Sequence, residues 1–78
     1  MPVFRLIIRS SMGWSQRDQI RVLTRAEARR EPPAQVTERG LELSVEADSG
    51  EMAKATVERA VHGIHSNTGV YLEEEIRP

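Results

Sequence analysis

Along residues 3 to 9, Phe4, Leu6 and Ile8 alternate with Arg5, Ile7 and Arg9. A period of two is that of a strand with one buried face, so a first strand is predicted over about residues 3 to 9. Ser10 to Trp14, with Gly13, ends it. Ser15 and Asp18 then form a Ser-x-x-Asp capping box, which opens a predicted helix from Gln16 to Arg30. Its apolar side is Ile20, Leu23 and Ala26, and Arg17, Arg21, Arg25 and Arg29 wind along the opposite side at intervals of four. Pro32 and Pro33 stop the helix, because neither donates a backbone hydrogen bond and each disfavours helical geometry in the residue before it.

The next apolar pattern, Val36 to Ala47, reads as a hairpin. With Arg39 and Gly40 as a two-residue turn, Val36 faces Leu43 and Glu38 faces Leu41, which puts Val36, Leu41, Leu43 and Val45 on one face. A bulge at Gly40 within one longer strand is the alternative. Asp48 with Glu51 is a second capping box, and Ala47 with Met52 can form the accompanying hydrophobic staple. A second helix follows, with Ala53, Val57, Ala60, Val61 and Ile64 on one face and Asn67 or Gly69 as the left-handed residue that ends it. The last strand spans about Val70 to Arg77. Val70, Leu72 and Ile76 point one way, and Tyr71, Glu73, Glu75 and Arg77 the other.

Strand, helix, hairpin, helix, strand is the order of a ferredoxin-like βαββαβ sandwich, an α+β fold with an antiparallel sheet and both helices on one face. A three-stranded βαβαβ layout is the rival. Seventy-eight residues make one small domain over 1 to 78, at a size where one core gives only marginal stability. Cysteine is absent, so neither disulfides nor thiolate chemistry supplement that core, and a reducing cytoplasm is the expected setting. The apolar run Val3 to Ile8 is broken by Arg5 and is too short for a signal or a membrane span. Ten arginines against one lysine point to a GC-rich, bacterial coding genome.

Charge is sorted along the chain. Residues 1 to 31 carry seven arginines against three acids, a net of +4, and residues 32 to 78 carry four bases against nine acids, a net of −5. In the ferredoxin-like order the first strand is central, so Arg5 and Arg9 are expected between Glu42 and Glu46 on one side and Glu73 and Glu75 on the other. Cross-strand pairs of this kind contribute roughly 0.2 to 1 kcal/mol each. The net charge of −1 argues against a nucleic-acid binder, and the outward sheet positions hold no aromatic platform for stacking bases. Only the helix stripe, about 18 Å long at 1.5 Å per residue, could follow a phosphate backbone or an acidic protein. As an alternative to either, it is a solvated helix face.

Three groups of residues bear on chemistry. Glu58, His62 and His65 fall within about 60° of one another on a helical wheel, so they are a weak candidate for one divalent metal, against a plain reading as surface residues. Met1-Pro2 opens on an extended strand, and loss of Met1 would expose a secondary amine able to act as base or nucleophile. This start resembles the tautomerase superfamily, and the resemblance implies Pro2 as catalytic base with Arg9 and Arg39 binding a carboxylate substrate. The string Glu42-Leu43, the helix after it, and Asn67-Thr68 before the last strand resemble the small subunit of phosphoribosylformylglycinamidine synthase, which implies a non-catalytic, oligomeric partner role. No glycine-rich phosphate loop or nucleophile elbow occurs, and no cofactor is expected. Val3, Ile7 and Tyr71 lie among charges on the outward sheet face, the composition of an interface core with a polar rim. The expectation is therefore a non-catalytic module that self-associates or binds another protein through the sheet, with Arg17, Arg21, Arg25 and Arg29 as a second surface for an acidic partner.

Overall fold

One apolar face on each long strand and one apolar stripe on each helix leave a single way to exclude water, which is to stack the helices on the sheet. In the computed structural model, which describes residues 1–76, the elements are β1 (Val3–Ser10), α1 (Gln16–Arg25), β2 (Gln35–Thr37), β3 (Gly40–Glu46), α2 (Gly50–Val61) and β4 (Thr68–Ile76). The fold is α+β, with a four-stranded antiparallel sheet in the order β2-β3-β1-β4 and two helices. Phe4, Leu6 and Ile8 of β1 meet Leu41, Leu43 and Val45 of β3, and Val22, Ala26, Ala53, Val57, Ala60 and Val61 of the helices close the same cluster. Both helices thus lie on one face, and among the described residues the other face of the sheet has no second layer.

The first helix departs from its expected course. It ends at Arg25, five residues before Arg30, because Glu27 turns into the left-handed region at φ +52°. The Glu27 amide donates to the Thr24 carbonyl (3.2 Å) and the Ala28 amide to the Leu23 carbonyl (2.9 Å), the pair of bonds of a Schellman ending. A carboxylate side chain stands where glycine is usual, so no residue type marks the stop there. The Ser15 cap is as expected, its Oγ accepting from the Asp18 amide at 3.1 Å. The helix buries Val22 and Ala26 and half-buries Leu23, and Ile20, expected on the core side, is 57% exposed. Past the helix the chain runs beside β3: the Arg29 amide donates to the Ser44 carbonyl at 2.7 Å.

In the hairpin the turn is Glu38-Arg39, with Thr37 opposite Gly40, Val36 opposite Leu41 and Gln35 opposite Glu42. The expected pairing of Val36 with Leu43 is therefore off by two residues, a shift that keeps Val36 on the face of Leu41 and Leu43. Gly40 takes φ +132° directly after the turn, and a Cβ there would meet the Ile8 carbonyl oxygen of β1. That approach needs glycine. The second helix is capped by Ser49, whose Oγ accepts from the Met52 amide at 3.2 Å, and not by Asp48. With the cap one residue later the Ala47–Met52 staple does not form: Ala47 is buried in the core and Met52 is exposed. The helix ends at Val61, and Gly63 at φ +81° follows it; Asn67 is left-handed too, at φ +55°, but in the turn into β4. A tilted stack of Trp14 on His65, with ring centroids 4.2 Å apart, joins the segment after α2 to the start of α1.

The last strand carries an irregularity. Leu72 is opposite Leu6 but Glu74 is opposite Arg5, so one extra residue, Glu73, is inserted. Beyond it the faces exchange. Ile76 lies opposite Val3 on the outward side and Glu75 opposite Phe4, the reverse of the expected alternation. The expected end of this strand at Arg77 lies outside the described residues.

Two substitutions test the backbone argument by chemical denaturation. Glu27→Gly relieves the left-handed strain and should raise stability by about 1 kcal/mol. Gly40→Ala should lower it by about 2 kcal/mol or more, from φ strain and the collision with β1.

Candidate interaction surface

On the uncovered face the sheet is closed by its own side chains. Arg39, in the β2–β3 turn, lies across β1: its Nη2 donates to Glu73 Oε1 of β4 at 2.6 Å and to Glu42 Oε1 of β3 at 3.3 Å. Thr37 Oγ1 donates to the other oxygen of Glu42 at 2.6 Å and accepts from the Arg39 amide at 3.1 Å. Beneath this bridge Ile7 is buried, and a groove of about 480 Å³ is lined by Ile7, Arg9, Glu38, Arg39 and Tyr71. The Thr37 hydroxyl and then the Arg39 guanidinium hold the Glu42 carboxyl below its ordinary range against the opposing effect of burial, while the bond to Glu73 raises the pKa of Arg39 further.

Arg5 is buried without a carboxylate. Its Nη1 donates to Ser44 Oγ at 2.9 Å and to the Pro32 carbonyl at 3.4 Å, and its Nη2 to the Pro33 carbonyl at 3.1 Å. The guanidinium thereby ties the segment between α1 and β2 to the sheet edge. This corrects the expected ion pairing. Arg5 and Arg9 form no ion pair among the described residues; Arg39 takes Glu42 and Glu73, and Arg29 takes Glu46. The reason is geometric, since Arg5 is drawn across Ser44 to the proline carbonyls, while the turn sets Arg39 over β1 within reach of both glutamates.

The helix stripe is shorter than expected. Arg25 Nη1 donates to the His62 carbonyl at 3.1 Å, and Arg29 lies beyond the helix on Glu46. Arg17 and Arg21 are exposed and unpaired among the described residues, with exposed Ile20 beside them. Of the sheet residues, Val3 is half-buried, Ile7 is buried under Arg39, and Tyr71 remains 55% exposed, its ring folded back over Gly69.

The metal candidate is not assembled. Because α2 ends at Val61, His62 and His65 leave the helical wheel on which they met Glu58. His65 turns inward, with Nε2 3.1 Å from Asp18 Oδ2 and Nδ1 3.4 Å from Ser10 Oγ, and His62 stays exposed. Among the described residues no three histidine or carboxylate groups come close enough to hold a metal ion. Nor does the fold gather the residues offered for a tautomerase site. Pro2 sits at one end of β1, its carbonyl accepting from the Ala47 amide at 3.2 Å, whereas Arg9 lies seven residues along the strand, about 23 Å away at 3.3 Å per residue, with Arg39 at that far end and already bonded to two glutamates. No helix among the described residues is long and apolar enough to cross a membrane.

What the sequence did not reveal is the role of Arg39 and Thr37. A Thr-x-Arg spacing around a turn, followed by an outward glutamate three residues after the arginine, was the available signal.

The Glu42 site has a pH consequence. A carboxyl whose pKa is depressed by folding contributes stability that is present above the unfolded value, about 4.3, and is lost as pH falls through the folded value. Glu42→Gln should therefore lower stability at neutral pH and flatten its decline below about pH 4.3, as followed by urea titrations at several pH values. Compared with protein-family models, curated proteins and solved structures, the chain matches none of them.

Proposed function

We propose that this chain is a ferredoxin-like, non-catalytic protein-binding module, which self-associates or serves as an accessory subunit of a larger assembly in the bacterial cytoplasm. The observation that carries this reading is on β4. Tyr71 and Leu72 are adjacent, point to opposite faces of an edge strand, and are 55% and 45% exposed. Apolar groups on both sides of one unpaired strand are what a protein partner buries when it adds to a sheet edge. The ferredoxin-like assignment rests on the order of the elements, on β1 at the centre of the sheet, and on both helices lying over one face. Arg17 and Arg21, with Ile20 beside them, form the second surface, suited to an acidic protein by charge and by its small apolar contact.

Polar groups that could do chemistry support binding rather than catalysis. Arg5, Arg39 and Glu42 are engaged with structural partners, and Arg9 and Arg39 lie at the opposite end of β1 from Pro2. Nucleic acid is disfavoured by the glutamates on the sheet face and by the shortening of the basic stripe to Arg17 and Arg21, the two of its arginines left unpaired among the described residues.

Sedimentation velocity at rising concentration, together with affinity capture on the tagged chain, tests this function. Reversible association up to high micromolar concentration, or a stoichiometric protein partner, is expected. A strict monomer that captures nothing would overturn the reading.

A further inference from the structure

A strand edge left open in a small protein is usually short, or guarded by charge, proline or a bulge. The β2 edge is of that kind, three residues long, with the preceding segment laid against β3 beyond it. β4 is different. It runs for nine residues with no neighbour on its outer side among the described residues, and its guards, the extra residue Glu73 and the inward Glu75, stand only in its second half. Its ends are unlike: Thr68 to Tyr71 is uncharged, and Glu73, Glu74 and Glu75 are consecutive acids. Beside the uncharged end stands Arg9, opposite Gly69 on β1, exposed and without an ion pair among the described residues.

These features fit one occupant. We infer that β4 pairs antiparallel with β4 of a second copy about a two-fold axis at Tyr71, making one eight-stranded sheet in which Arg9 of each copy binds Glu74 of the other. This inference rests on the protein-binding reading above and names its partner. The register follows from which side chains share a face, since residues directly opposite in an antiparallel pair must point the same way. With Tyr71 on the axis, the two tyrosines meet on the outward face, Val70 meets Leu72 on the helix face, and Gly69 faces Glu73. With the axis at Tyr71 the faces agree from Gly69 to Glu73 and part only at Thr68 and Glu74, whereas an axis at Leu72 parts them already at Val70 and Glu74.

Charge selects the same arrangement. Antiparallel pairing sends each acidic run past the uncharged end of its partner, whereas parallel pairing would set six glutamates side by side. Arg9 and the partner strand are two strand spacings apart, about 9.6 Å, within the combined reach of an arginine and a glutamate side chain. Gly69, between them, carries no side chain of its own, and the Tyr71 ring that lies over it turns toward its counterpart on the axis to let the two meet. Glu73 is already held by Arg39, so Glu74, opposite Arg5 but unpaired with it, is the free acid on that face. The two-fold uses the Arg9–Glu74 contact twice, so each substitution counts double.

Charge exchange tests it, read by sedimentation equilibrium, with circular dichroism as a check on folding. Arg9→Glu and Glu74→Arg should each weaken the dimer about tenfold or more, and the two together in one chain should restore affinity to within about threefold of the parent. Raising salt should weaken the parent dimer. A parent dimer whose two single variants associate normally, or whose double variant is not restored, overturns this pairing and leaves the protein-binding reading standing. A parent chain that is monomeric but captures a different protein likewise overturns self-pairing alone. A monomer with no partner sinks both.

Discussion

A four-stranded sheet has two faces, and two helices of 10 and 12 residues cover only one of them. That shortage of chain organises everything else in the molecule. On the covered face the ordinary hydrophobic effect suffices, and the large side chains buried there are aliphatic or aromatic. On the open face the sheet is finished with polar devices: the Arg39 bridge over Ile7, Thr37 on Glu42, and Arg5 bound to Ser44 and two proline carbonyls. The Arg39–Glu73 and Arg5 contacts join segments distant in sequence. Each also spends a charge that would otherwise be free to meet a ligand.

The covered face was plain in the sequence, and the open face was not. Phe4, Leu6, Ile8, Leu41, Leu43 and Val45 announce themselves because alternation is the direct mark of a half-buried strand, and the second helix because its apolar spacing is regular. The errors came where one residue decides a local geometry. Glu27 ends α1 in a conformation that glycine normally marks, Ser49 wins the cap from neighbouring Asp48, and an extra residue at Glu73 reverses the faces of β4 beyond it. Charge was legible as a total but not as a wiring diagram. Arg5 and Arg9 had the right neighbours in sequence order, yet the pairing went to Arg39 and Arg29, whose positions in a turn and beside an edge let their side chains lie along the sheet.

For the candidate sites the same limit applied. His62 and His65 share a wheel with Glu58 only if the helix continues, and it stops at Val61; His65 then packs on Trp14 instead. The pattern that did survive is the coarse one, a basic first half and an acidic second half. Much of it is consumed internally by Arg29–Glu46 and by the burial of Arg5. Among the described residues, what is left over lies at the two ends of one sheet edge: an unpaired Arg9 near the start of β4, and unmatched acid at its finish. A single chain cannot join them, because β4 separates its own ends, and a second copy running the other way can.

Amide hydrogen exchange along β4, measured as protein concentration is raised, is the most direct test of that account. Edge pairing predicts that the outward-pointing amides between Gly69 and Glu73 slow markedly with concentration, while those of the β2 edge, Gln35 to Thr37, do not change. Exchange in β4 that is fast and independent of concentration would contradict it.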